Sequence, residues 1–113
     1  MADGEDAPAQ LKAARHAGAV CVVARLEADV AGAATLERVL GRLAAAVAGD
    51  EPRCTSFYVT RPIGAPLHFA VHARFTDWAA FKAHAETAHM THALAGIRPA
   101  LAAPMALEIF FEI

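Results

Sequence analysis

The order in which the hydrophobic period changes along the chain is the feature that most limits its fold. Residues 67–75 alternate apolar and polar side chains, which is the period-two pattern of a strand buried on one face. Residues 36–47 instead place apolar side chains three or four positions apart, as at Leu36, Leu40 and Leu43, which predicts an amphipathic helix. A chain that mixes the two periods predicts a sheet with helices packed against it.

The same patterns predict four strands and two helical regions. The first helix follows Gly32 and stops at Gly49, and the second begins after Asp77, a residue that commonly caps helices. The second region changes direction near residues 86–88 and ends before Pro104, because proline cannot continue a helix. The predicted strands are 20–26, 53–61, 67–75 and 105–113, and the last strand is expected at a sheet edge or facing an interface.

The order strand, helix, strand, strand, helix, strand predicts an α+β fold of the ferredoxin-like type, with a four-stranded antiparallel sheet and both helices on one face. Residues 1–17 are predicted to form a flexible tail, and residues 18–113 a single domain. The other face of the sheet is expected to carry apolar residues from several strands. With 57% hydrophobic residues in 113, the chain is therefore expected to form a homodimer.

Charge and composition limit the classes of partner. The formal net charge of −2 and the absence of any Lys/Arg-rich run argue against nucleic acid and against an anionic membrane surface. No apolar run approaches the roughly 20 residues of a membrane-spanning helix, and the acidic N-terminus does not resemble a secretory signal. We therefore expect a cytoplasmic protein in which Cys21 and Cys54 are buried, reduced thiols.

Six histidines raise the question of a metal site. His68 and His72 lie on a strand roughly 13 Å apart, which is too far for one ion, and with Arg74 they are predicted to line a dimer contact instead. His84, His89 and His92 could share a helical face. Because Glu86 is the one acidic residue near them in sequence, we predict no metal ligands.

Four short segments of the chain form a recognisable set of motifs. They are Glu51-Pro52-Arg53-Cys54 with the aromatic pair Phe57 and Tyr58, the strand 69–75, the segment 77–84 with its Ala-Ala pair and histidine, and Ala88-His89-Met90. This set resembles the motifs of antibiotic biosynthesis monooxygenase domains. The resemblance extends over about residues 20–113. It implies a dimeric α+β barrel with a pocket in each subunit between sheet and helices.

The resemblance also implies a chemistry and a set of site residues. Some members of this family oxidise quinols or polyketide phenols with molecular oxygen and without a cofactor. His84 matches the helix histidine of the family, and the implied pocket residues are Phe57, Val71, Phe75, Phe81 and His89. Three departures from the family pattern are that Ala73 replaces a glutamate, Arg53 replaces a glycine, and the asparagine and tryptophan used by some members are not evident.

We therefore expect a cofactor-free monooxygenase that acts on a small aromatic quinol or phenol, with His84 as the base that removes a proton. A first alternative is a non-catalytic, ligand-binding or stress-related dimer. A second is a haem-binding or haem-degrading protein that would use His89 or His92.

Overall fold

The computed structural model describes residues 18–113, and the predicted tail at residues 1–17 lies outside the described residues. The helices are α1 (Ala33–Asp50), α2 (Trp78–Ala85) and α3 (Ala88–Ile97), and the strands are β1 (Val20–Glu27), β2 (Cys54–Thr60), β3 (His68–Phe75) and β4 (Ala106–Phe111). None of the helices in this part of the chain is both long and apolar enough to span a bilayer.

The four strands form one antiparallel sheet in the order β2-β3-β1-β4. This order, with the helices on one face, is the ferredoxin-like arrangement and confirms the predicted fold class. The predicted position of the last strand is also confirmed, since β4 pairs with β1 alone and lies at an edge of the sheet.

The hydrophobic periods identified in the sequence correspond to buried faces. On β3 the alternating residues Phe69, Val71, Ala73 and Phe75 are buried, and they face the helices. The apolar stripe of α1, which is Leu36, Leu40, Leu43 and Val47, packs against this side of the sheet and forms the main core. Burial of these side chains orients α1 so that its C-terminal end points at the start of β2.

Side chains at the helix ends define the short helices. The Asp77 carboxylate accepts a hydrogen bond from the backbone N–H of Ala80, as predicted for an N-cap, and Thr87 caps α3 through Met90 in the same way. The Ala80 hydrogen bond lowers the pKa of Asp77, and the ion pair with Arg53 lowers it further. The start of β2 is thereby attached to the start of α2.

The third helix is shorter than predicted. It ends at Ile97, and residues Arg98–Ala100 form one turn of 3₁₀ helix, whereas the apolar spacing predicted an α-helix through Leu101. Pro99 explains the difference, because its ring displaces the carbonyl four residues earlier and it has no N–H to donate. Leu101 instead forms an isolated bridge with Ala28 next to β1.

The expectation of apolar residues on the uncovered sheet face is met only in part, by Val23, Tyr58 and Phe110. That face of β1 and β3 carries mostly polar and charged residues, namely Arg25, Glu27, His68, His72 and Arg74 beside Cys21, Val23 and Ala70. The Arg74 guanidinium donates to both oxygens of Glu112 at 2.7 Å, which lowers the pKa of that carboxyl and raises the pKa of the guanidinium. Apolar exposure is concentrated on β4 instead, at Leu107, Ile109, Phe110 and Phe111.

Two glycines provide a matched test of the packing at the start of α1. A Cβ atom on Gly32 would lie 2.7 Å from both the Cα and the carbonyl oxygen of Ala100, whereas a Cβ on Gly41 meets nothing within 4 Å. We expect Gly32→Ala to lower the free energy of unfolding by about 1–3 kcal/mol through overpacking. Gly41→Ala should raise it by about 0.5–1 kcal/mol through helix propensity. Urea denaturation measures both, and equal effects of the two variants would contradict the packing described here.

Candidate functional site

A cavity of about 210 Å³ lies between the helix side of the sheet and the three helices. Its wall is almost entirely apolar and contains five residues predicted for the pocket or for catalysis, namely Phe57, Val71, Phe75, Phe81 and His84. Met105 and Leu107 also line it, and Leu107 is about half exposed, so the cavity opens beside β4. Cavities of this kind, apolar with one polar group, are typical of small-ligand sites.

His84 is the polar side chain that this wall contributes, and it is buried. It lies on α2 one turn after Phe81, so the two side chains share the face that packs on β3. The imidazole ring centroid is 5.0 Å from that of Phe75 and 5.9 Å from that of Phe57. Aromatic rings therefore hold the imidazole in one orientation at the cavity wall.

A carboxylate lies behind this imidazole. Nδ1 of His84 is 3.1 Å from Oε1 and 3.0 Å from Oε2 of Glu51, whose side chain is only 11% exposed. The backbone of Glu51 is fixed on both sides, because its N–H donates to Val47 at the end of α1 and its carbonyl accepts from Cys54 at the start of β2. The contact joins residues 33 positions apart.

His89 approaches the same carboxylate from α3. Its Nε2 lies 2.5 Å from Oε2 of Glu51. His89 does not line the cavity, where it was predicted, but faces a groove between α1 and α3 that also contains Arg42 and His92. His92 itself is exposed. The structure thus brings together Glu51, His84 and His89.

The acceptor chemistry of the carboxylate determines where the imidazole protons lie. An ionised carboxylate only accepts hydrogen bonds, so Nδ1 of His84 and Nε2 of His89 must both donate to Glu51. In a neutral His84 ring, Nε2 then carries a lone pair. Among residues 18–113 no hydrogen bond is recorded for this nitrogen, and no side-chain nitrogen or oxygen there is both fully buried and unbonded. Nε2 is therefore partly accessible, and it belongs to a residue that lines the cavity.

Sequence reasoning missed Glu51 as a site residue. It considered acidic residues near the histidines along the chain, whereas Glu51 reaches them through the packing of α1 on the sheet. The Glu51-Pro52 pair, which was noted as part of a family motif, was the available signal. One carboxylate oxygen and the two imidazole nitrogens lie within 4.8 Å of one another, which is a possible metal-ligand set that the sequence analysis did not predict.

The other predicted site residues lie on the opposite face of the sheet. His68 and His72 are exposed there, and Nε2 of His72 is 3.1 Å from the Thr60 hydroxyl. Cys21 and Cys54 are free and half-buried rather than buried, and Cys54 lies on the helix side of the sheet, where it packs against the core. Burial raises the pKa of the Cys54 thiol, and the nearby Glu51 charge raises it further. None of these residues contacts the cavity.

Comparisons with known proteins assign a family. Residues 19–96 match the family model of antibiotic biosynthesis monooxygenases. A candidate monooxygenase of that kind from Caulobacter crescentus is 30% identical with a TM-score of 0.82, over 87% of this chain and 92% of the other. Two further solved structures share the fold. Rv0793 from Mycobacterium tuberculosis is 18% identical with a TM-score of 0.79, over 85% of this chain and 96% of the other. A candidate monooxygenase from Nitrosomonas europaea is 14% identical with a TM-score of 0.80, over 86% of this chain and 92% of the other. No curated protein matches the chain.

The hydrogen bond to Glu51 predicts an unusual tautomer for His84. At mildly alkaline pH, where a free imidazole is neutral, ¹⁵N NMR should show the proton on Nδ1 and none on Nε2. In Glu51→Ala no acceptor remains at Nδ1, so this preference should disappear, while the exposed His92 should give the same signals in both proteins. A proton on Nε2 in the unsubstituted chain would contradict the assignment.

Proposed function

This chain belongs to the antibiotic biosynthesis monooxygenase family, and we propose that it oxidises a small aromatic quinol or phenol with molecular oxygen and without a cofactor. The observation that carries the proposal is the buried His84 imidazole at the wall of an apolar cavity, with its Nδ1 3.0 Å from the Glu51 carboxylate behind it. A base in a dry pocket is what this chemistry requires of the protein.

The proposed reaction begins with proton transfer from the substrate hydroxyl to Nε2 of His84. Glu51 stabilises the imidazolium that forms, because its carboxylate already accepts the Nδ1–H. The electron-rich substrate anion reduces oxygen and forms a carbon–oxygen bond to it. Loss of water then leaves one oxygen atom on the ring, so that a hydroquinone and O₂ yield a hydroxyquinone and one water. His84 returns its proton to the departing oxygen.

The size of the cavity indicates the size of the substrate. Its volume of about 210 Å³ exceeds the roughly 150 Å³ of an apolar cavity that holds benzene, and is smaller than the roughly 300–1,000 Å³ of sites for drug-sized ligands. A substituted single ring fits best. Phe57, Phe75 and Phe81 provide aromatic faces and edges for it. This size also argues against the haem alternative, and His89 already bonds to Glu51.

One observation favours a second function, the binding of a small apolar ligand without catalysis. Ala73 lines the cavity where related domains carry a glutamate, so the wall provides no carboxylate of its own. A ligand-binding protein would then use the cavity for burial of an aromatic ring, and the Glu51–His84 pair would only stabilise the fold.

Oxygen uptake separates the two functions. We expect the purified protein to increase oxygen consumption above the buffer rate with at least one member of a panel of substituted hydroquinones and anthrone-type phenols. His84→Ala removes the base and should reduce kcat/KM about 10²–10⁴-fold. Glu51→Gln should also reduce it, because the amide does not stabilise an imidazolium as a carboxylate does.

His92→Ala is the matched control, since His92 is exposed on α3 and bonds to neither Glu51 nor the cavity wall. It should leave the rate unchanged. Uptake at the buffer rate for every substrate, together with saturable binding of the same compounds, would establish the ligand-binding function instead. Activity unaffected by His84→Ala would exclude this histidine as the base.

We further propose that the protein is a cytoplasmic homodimer. Proteins of this family are typically dimeric, and β4, the last strand at one side of the described sheet, exposes Leu107, Ile109 and Phe110. Phe110 belongs to the uncovered sheet face, as do His68, His72 and Arg74, so a second copy stacked on that face would cover all four. The two thiols are consistent with a reducing compartment.

Sedimentation of the full chain tests the dimer. We expect twice the 11.9 kDa mass of one chain at micromolar concentration. Phe110→Glu should weaken association at least tenfold, because it places a charge in the contact. Ile63→Glu is the matched control, since Ile63 is fully exposed in the loop between β2 and β3. A mass of one chain before any substitution would overturn the proposed dimer.

A further inference from the structure

The Glu51 carboxylate is buried without a permanent cation. Its side chain is 11% exposed, and those of His84 and His89 are 9% and 20% exposed. Within residues 18–113 its ion-pair partners are these two imidazoles, and no arginine or lysine contacts it. A buried carboxylate is costly unless a positive charge or a metal ion compensates it. The cluster therefore presents two imidazole nitrogens and a carboxylate oxygen, three groups that together can bind a cation.

We propose that Glu51, His84 and His89 bind one divalent transition-metal ion, for which Zn²⁺ is the best match. Two imidazole nitrogens and a carboxylate oxygen are a common set of three protein ligands for zinc, with water in the fourth position. The three ligand atoms lie within 4.8 Å of one another. In a tetrahedral site with bonds of about 2.1 Å, neighbouring ligand atoms are about 3.4 Å apart.

The present distances are close to this geometry. His84 Nδ1 and Glu51 Oε2 are 3.0 Å apart, and His89 Nε2 and the same oxygen are 2.5 Å apart. If an ion replaces the two shared protons, the distance between His89 Nε2 and Glu51 Oε2 must increase by about 1 Å. The ligands come from the segment after α1, from α2 and from α3, so each is anchored by its own element.

Access for the ion and for its water is provided by the groove between α1 and α3. His89 lines this groove, which has a volume of about 410 Å³ and also contains Arg42 and His92. The ion would therefore enter from the side opposite to the substrate cavity, which is lined by His84 but not by His89. A metal in this cluster would not contact the substrate.

The consequence for catalysis rests on the proposed function. A metal on Nδ1 of His84 displaces the proton that Glu51 now accepts, and a neutral imidazole then carries its proton on Nε2. The nitrogen facing the cavity becomes a donor and can no longer act as a base. Metal binding would thus inhibit oxidation reversibly, and the metal-free protein would be the active form.

Titration of the chelator-treated full-length protein with Zn²⁺, followed by calorimetry, tests the site directly. We expect one ion per chain, and a rise in Tm on binding. Glu51→Gln and His89→Ala should each weaken binding at least tenfold, whereas His92→Ala and His72→Ala, which alter exposed histidines outside the cluster, should not. Co²⁺ in place of Zn²⁺ should give the visible absorption bands of a tetrahedral ion, and these should be absent in Glu51→Gln.

The possible outcomes are distinct. Binding that is unchanged by both cluster variants, or that is lost on removal of His92 or His72, would assign the ion to surface histidines and overturn the proposal. So would the absence of binding by the unsubstituted chain. Near-ultraviolet circular dichroism verifies that each variant is folded, and His89→Gln replaces His89→Ala if the latter is not. Zinc binding by a protein that fails to oxidise quinols even when metal-free would refute only the proposed function, since the titration contains no quinol.

Discussion

The interaction on which the site depends is the hydrogen bonding of one buried carboxylate by two imidazoles. Glu51 lies after α1, His84 on α2 and His89 on α3, so this single group joins three segments that share no local sequence. It also determines the tautomer of His84 and therefore the chemical character of the cavity wall. The imidazole thus has a carboxylate on one side and apolar surface on the other.

The departures from the family pattern have a structural explanation in one case. Arg53, which stands where related domains have glycine, forms an ion pair with Asp77, and Asp77 caps the helix that carries His84. The backbone N–H of Thr76 also donates to the carbonyl of Arg53. Arg53 thus attaches the segment after Glu51 to the start of α2. This attachment helps to keep the Glu51 carboxylate next to the His84 imidazole.

Local periodicity predicted the elements well and their long-range contacts poorly. The alternation of β3 and the spacing in α1 each depend on neighbours within a few residues, so both were correctly inferred from sequence. The contact of Glu51 with His84 depends on how α1 crosses the sheet, which no local pattern contains. The polar side chains of the uncovered face, at His68, His72 and Arg74, were visible in the alternation of β3.

The early end of α3 at Ile97 was also visible in the sequence, because Pro99 cannot continue an α-helix.

The exposed strand β4 has a further consequence. Leu107 both lines the cavity and is half exposed, and it lies on the helix side of β4. A molecule that covers the helix side of β4 therefore also closes the mouth of the cavity. Association with another chain and occupancy by a ligand would then be thermodynamically linked, so that each strengthens the other by the same factor. Such linkage would make the affinity for a ligand depend on protein concentration without any change in the residues that touch it.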